Sequence, residues 1–193
     1  GMNQSRERTR VAVVGASGIG KHHAKWWHLE GADVCAFAGT STESVKRTAE
    51  TLAGLFEFRG IGYTSLQQLL DEQRPDILDV CSPPHRHADH VRKGLEAGCR
   101  VLCEKPFLYD SRRSHNDLLA EADRIVALAR SRGRDLALCS QYAVAVETCK
   151  ELWSDRHPRE PLTQYAAHLA SPARGRPPNA EEVWIDLAPH LLA

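Results

Sequence analysis

Val11-Ala12-Val13-Val14-Gly15-Ala16-Ser17-Gly18-Ile19-Gly20 reads as a buried β-strand running straight into a glycine-rich turn, with a helix expected behind it. Four apolar residues in a row suit a strand covered by helices on both faces. Gly15 makes the tight turn, and Gly20 lets the following helix pack against the strand. The N-terminus of that helix then points free N–H groups at an anion, here the pyrophosphate of a dinucleotide. Gly15, Ala16, Ser17, Gly18, Ile19 and Gly20 are therefore the expected phosphate-binding residues. Ser17 stands where the middle glycine of the pattern is usual. Its Cβ crowds the closest backbone approach, while its hydroxyl can donate a compensating hydrogen bond. A glycine-rich turn that binds nothing is the alternative, and the strand–turn–helix context weighs against it.

Moving outward, short β-rich apolar runs alternate with segments of helical period. The further runs are Val34 to Ala38, Ile77 to Cys81, Val101 to Cys103 and Leu136 to Cys139. Helices are expected over Val45 to Leu52, capped by Thr40 and Glu43, and over Leu66 to Leu70, capped by Thr64 and Gln67. Two more should run from about His87 to Ala97 and from about Asn116 to Arg132, stopped by Gly98 and Gly133. Strands alternating with helices mean right-handed parallel crossovers. The expected fold class is thus α/β, a doubly wound Rossmann sheet over residues 1–150, followed by an incomplete α+β substrate domain over 151–193.

Lys and Arg total 25 in 193 residues and Asp and Glu also total 25, so no net charge supplies the electrostatic attraction that nucleic acid requires. Nucleic acid is not an expected partner. Arg6, Arg8 and Arg10 ahead of an apolar run mimic a secretory signal, but the run dissolves into glycine and ends at Lys21. No uncharged apolar stretch approaches the roughly 20 residues that span a bilayer, so no membrane partner is expected. Six cysteines form no C-x-x-C pair and mostly sit in strand-like runs, which reads as small buried hydrophobes of a reducing cytoplasm; an even count leaves disulfides open.

Coenzyme choice is written at the end of the second strand, where an acidic side chain grips the ribose of NAD. Phe37-Ala38-Gly39-Thr40-Ser41-Thr42 contains no acid. Gly39, Thr40 and Ser41, with Lys46 or Arg47 nearby, can instead receive a 2′-phosphate, so the coenzyme expected is NAD(P) with the balance tilted to NADP. Thr40 acting only as a helix cap remains the alternative.

Two further segments are informative: Ser82-Pro83-Pro84-His85-Arg86-His87 and Glu104-Lys105-Pro106. Together with the glycine turn, in this order, they resemble the glucose-fructose oxidoreductase / inositol dehydrogenase (Gfo/Idh/MocA) family. The resemblance implies that Ser82, Pro83, Pro84, His87, Glu104 and Lys105 belong to the cofactor side, and it raises a cis bond before Pro106. From the residues themselves, Lys105 lies two positions beyond the strand ending at Cys103. Ligands bind outside such strand ends, so its ammonium can donate to a substrate oxygen. His85, His87 and His90 form an H-x-H-x-x-H cluster that invites a metal, but the Pro-Pro break and the lack of Cys or carboxylate partners beyond Asp89 argue for none. His22, His23 and His28 fall on mixed faces of the first helix, where exposure or packing is the plainer reading.

Cys139-Ser140-Gln141-Tyr142 resembles the family segment that closes the dinucleotide domain, with Gln141 or Tyr142 reaching the nicotinamide; a plain linker is the alternative. The second domain should open with a helix through Trp153 and a strand around Leu162 to Leu169, then a Pro/Gly/Arg-rich loop over Ser171 to Asn179. In Trp184-Ile185-Asp186-Leu187-Ala188-Pro189-His190, Asp186 and His190 would share a helix face. The resemblance makes His190 the acid or base on the substrate oxygen and Asp186 its orienting partner. Pro189 departs from the pattern and should confine the helix start to about Asp186.

What the resemblance implies is hydride transfer between nicotinamide and a secondary alcohol or ketone of a sugar, cyclitol or related polyol. Lys105, Asp186 and His190 are its expected catalytic residues. A homo-oligomer is expected if the second domain is complete. With the chain ending at Ala193, a non-catalytic dinucleotide-binding sensor or regulator is the second reading, and no residue identifies a particular substrate.

Overall fold

The computed structural model describes residues 8–160, apart from the side chains of residues 141–145. Strands and helices alternate: β1 (Arg10–Val14), α1 (Gly20–Leu29), β2 (Asp33–Ala38), α2 (Thr42–Leu55), β3 (Ile61–Tyr63), α3 (Leu66–Gln73), β4 (Ile77–Val80), α4 (Pro84–Glu96), β5 (Arg100–Cys103), α5 (His115–Arg132), β6 (Leu136–Leu138) and α6 (Gln141–Arg156). The six strands form one sheet in the order β3-β2-β1-β4-β5-β6, and every pairing is parallel. This is the doubly wound Rossmann order, with the direction of winding reversing between β1 and β4.

The core follows from the two-residue alternation of strands. Ala12, Val14, Ala36, Ala38, Leu78 and Val80 face α3, α4 and α5, packing on Leu69, Val91, Leu95 and Ile125. Val13 and Phe37 face the other way, onto Ala24 of α1 and Leu52 of α2. All these residues are buried. Asp79 lies between Leu78 and Val80 on β4, so alternation turns its carboxylate toward the α1 face, where it is fully buried.

Local expectations shift by a residue or two. α2 is capped by Ser41, which accepts from the Ser44 amide, and runs past Gly54 to Leu55. Ser65 rather than Thr64 caps α3 by accepting from the Gln68 amide. In each case a serine one residue on has the extended backbone that an N-cap needs. α4 begins at Pro84, ahead of the expected His87, because proline suits the first helical turn. The five expected strands exist, with the last ending at Leu138, and a sixth, β3, was not foreseen.

The chain divides into two compact units, Gly1–Leu138 and Cys139–Ala193. α6 runs unbroken through residue 150, the expected boundary. Within the second unit, Trp153 stacks on His157 at 4.1 Å and its indole N–H donates to the Glu160 carbonyl at 2.8 Å. The expected strand near Leu162 to Leu169 and the loop over Ser171 to Asn179 lie outside the described residues. Among the described residues no helix is long and apolar enough to cross a membrane.

Candidate coenzyme-binding site

The glycine turn is built as close approach demands. Gly15 has φ +87°, and a Cβ there would meet the Cys81 carbonyl carbon and oxygen and the Ser82 nitrogen, each at 2.7 Å. A Cβ on Gly20 would stand 2.5 Å from the Gly15 oxygen and 2.9 Å from the Cys81 Cβ. The turn thus wedges between β1 and the end of β4, and the Gly15 amide is taken up by the Ala38 carbonyl at 3.0 Å. Among the described residues, the amides of residues 16–20 have no backbone acceptor. α1 has no side-chain cap and no acid in its first turn, whereas α2, α3 and α5 each carry a serine cap. These unaccepted donors, backed by the positive end of α1, fit a diphosphate.

A cavity of about 700 Å³ opens beside them at the carboxyl ends of the strands. Of the expected residues, Gly15, Ala16, Ser17, Gly39, Thr40, Ser82 and Pro83 line it. Its size lies within the range of small-molecule and cofactor sites. Gly18, Ile19, Gly20, Ser41, Pro84, His87, Glu104 and Lys105 do not line it. Lys46 and Arg47 are exposed and away from the lining; among the described residues Lys and Arg are represented in it by Arg86 and by Lys93, whose ammonium also donates to Asp89 at 2.9 Å, and no carboxylate lines it. Ser44, Thr48, Arg86 and Lys93 had escaped sequence reasoning, because they sit on helices behind the motif residues. An acid-free β2 end was their one visible signal.

The three histidines of α4 have separate partners. His85 is exposed on the cavity wall. His87 is fully buried, and its ring joins two loops: Nε2 lies 2.6 Å from the Ser82 carbonyl, and Nδ1 lies 3.0 and 3.1 Å from the Pro106 and Phe107 carbonyls. That makes it a brace beneath the site, behind the residues that line the cavity. His90 Nδ1 pairs with Ser82 Oγ at 2.8 Å, and burial, reinforced by Arg86, pushes its pKa down to about 4.

Lys105 follows β5, and the Lys105–Pro106 peptide is cis. Its backbone N–H donates to Glu104 Oε2 at 3.0 Å. Glu104 therefore turns to its own loop, with Oε1 3.2 Å from His23 Nε2. His23 Nδ1 lies 3.0 Å from Asp79 Oδ2, which also accepts the Trp27 indole N–H at 2.7 Å. Cys81 donates to Asp79 Oδ1 at 3.3 Å, and burial pushes its thiol up to about 12. His23 is thus neither exposed nor merely packed. The side chain of Gln141, and all of Asp186 and His190, lie outside the described residues.

The glycine turn, the Ser-Pro-Pro segment and the Glu-Lys-Pro loop follow the adjacent strands β1, β4 and β5 at the carboxyl end of the sheet, in a fold whose sequence matches a family model over residues 9–139. The chain belongs to the Gfo/Idh/MocA oxidoreductase family. The matched portion is that family's NAD-binding Rossmann fold. D-Glucoside 3-dehydrogenase of Escherichia coli K12 is 35% identical over 144 residues, which is 72% of this chain and 36% of that enzyme. Inositol 2-dehydrogenase of Pseudarthrobacter chlorophenolicus is 27% identical over 128 residues, 65% of this chain and 35% of that enzyme. A 3-ketoreductase from Actinomadura kijaniata, solved with TDP-benzene and NADP, superposes with TM-score 0.61 at 25% identity, covering 77% of this chain and 44% of its own. The chain therefore spans well under half the length of these Gfo/Idh/MocA relatives.

Proposed function

We propose that this chain is the coenzyme-binding part of an NAD(P)-dependent dehydrogenase acting on a secondary alcohol or ketone of a sugar, cyclitol or related polyol. One observation carries the reading: Ala16 and Ser17 of the glycine turn, whose amides have no backbone acceptor, line a cavity with no carboxylate among its described lining residues, and the Lys105 loop follows β5 at the same carboxyl end of the sheet. The sugar and cyclitol dehydrogenases among the relatives support the substrate class.

In this reading the amides of the turn hold the pyrophosphate, and Gly39, Thr40 and Ser44 face the adenosine ribose. NADP is favoured over NAD, because the described lining offers Arg86, with Lys93 held by Asp89 beside it, and no carboxylate to accept a 2′-hydroxyl. Bound NAD(P) supplies the hydride acceptor or donor. Lys105 donates an N–H to the substrate oxygen and fixes its position. His190 exchanges the proton of the alcohol, with Asp186 orienting its ring; an imidazole titrating near neutrality suits that work. Residues 139–193 open the substrate-binding part, and Gln141 faces the nicotinamide end.

The test is turnover of a panel of sugars and cyclitols with NADP+ and NAD+, and of the corresponding keto-sugars and keto-cyclitols with NADPH and NADH, in the chain and in Lys105→Ala. Turnover that falls by about a hundredfold or more in Lys105→Ala supports the reading. Tight coenzyme binding with no turnover in the wild type favours a sensor or regulator instead.

A further inference from the structure

We propose that His23 is a positioning residue for Lys105, acting through the Glu104 side chain and anchored by the buried carboxylate of Asp79. The inference rests on the reading of Lys105 as the group that meets the substrate oxygen. Three elements are joined. His23 sits on α1, one turn from the phosphate-binding bend; Asp79 comes from the middle of β4; Glu104 and Lys105 leave the end of β5.

The chain of contacts is continuous. From Asp79 Oδ2 to His23 Nδ1 is 3.0 Å, from His23 Nε2 to Glu104 Oε1 is 3.2 Å, and from Glu104 Oε2 to the Lys105 amide is 3.0 Å. One ring therefore touches a carboxylate at each nitrogen, and as an imidazolium it donates to both. Glu104 spends one oxygen on the ring and the other on the backbone of Lys105, so the orientation of its carboxylate fixes where that peptide plane lies.

Asp79 explains why the ring stays put. A fully buried carboxylate is costly unless its oxygens are filled, and here Trp27 and His23 of α1 and Cys81, just beyond β4, fill them. Strand alternation brings Asp79 to the α1 face, at a position where an apolar residue would suffice for packing alone. The arrangement ties the helix that faces the diphosphate to the loop that carries the lysine. A lysine side chain has rotamer freedom to lose, so a fixed backbone origin narrows the volume its ammonium samples.

The test uses the isotope-labelled full chain and reads amide hydrogen exchange residue by residue. In His23→Ala the Lys105 amide should exchange about tenfold faster, because the Glu104 carboxylate that accepts it loses its contact with the ring. The Val101 amide, bonded to the Asp135 carbonyl within the sheet, should keep its rate and serves as the internal control. His23→Asn, which conserves a polar side chain too short to bridge both carboxylates, gives the same comparison if the alanine variant folds poorly. In turnover, both variants should lower kcat about tenfold and leave the KM for coenzyme within about twofold. Glu104→Gln, which keeps an oxygen for the Lys105 amide, should recover most of what Glu104→Ala loses.

An unchanged Lys105 amide overturns the proposal, as does equal acceleration of Lys105 and Val101, which marks a merely structural histidine. If the amide responds as expected while the wild type turns over no sugar or cyclitol, the functional reading fails and the positioning contact stands. If Lys105-dependent turnover is present but His23→Ala alters neither amide nor kcat, the positioning role fails alone.

Discussion

Replacing Gly15 by alanine tests the phosphate turn as a piece of built geometry. The native φ of +87° is one that an L-residue reaches only at a cost of about 1–2 kcal/mol. The added Cβ would stand 2.7 Å from three backbone atoms of Cys81 and Ser82, none of which is the free end of a side chain. Forcing β4 and the turn apart adds roughly 1–3 kcal/mol of overpacking strain. The sum is about 3 kcal/mol, which for a chain of this size lowers the Tm by roughly 6–12 °C. Gly18→Ala is the control, because a Cβ there meets nothing within 4 Å. Thermal denaturation by circular dichroism should separate the two, with Gly18→Ala within about 1 kcal/mol of the wild type. Equal Tm values for Gly15→Ala and the wild type, or equal losses in both variants, would refute the reasoning.

Thr40→Asp places a carboxylate at the acid-free end of β2, beside the Ser44 wall of the cavity. Fluorescence titration should show NADPH binding weakened about tenfold, some 1.4 kcal/mol, and the NADPH/NADH preference shifted toward NADH. His90 predicts an acid-dependent loss of stability. Its pKa falls from 6.5 to about 4 on folding, so below about pH 6.5 the unfolded chain takes up a proton that the folded chain refuses. Stability attached to this group is intact above that pH and falls by up to about 3 kcal/mol as pH drops to 4. The urea-denaturation gap between wild type and His90→Asn should therefore narrow between about pH 8 and pH 4.5, and a constant gap would contradict the assignment.

Much of this molecule was legible because its strands are short apolar runs between well-punctuated helices. Val11 to Val14 is buried on both faces, and the glycine turn behind it does what its spacing required. β3 escaped notice because Ile61-Gly62-Tyr63 is three residues long with a glycine at its centre, too little for either the alternating or the continuous apolar pattern. The contacts of His87 were not legible, because a motif gives order along the chain but not which face of α4 a residue takes; its ring lies buried against three carbonyls. The His23–Asp79–Glu104 contacts join residues far apart in sequence. Asp79, an acid inside the run Ile77-Leu78-Asp79-Val80, was the signal that could have led there, since a charge in a doubly covered strand requires a partner across the sheet.

The most direct measurement is an NADPH and NADH titration of the labelled full chain, followed by amide chemical shifts. Saturable one-to-one binding that moves the amides of residues 15–20 first, together with those of Gly39 and Thr40, is the predicted result. Saturation that leaves the amides of the glycine turn unmoved, or no binding of either coenzyme, would contradict it.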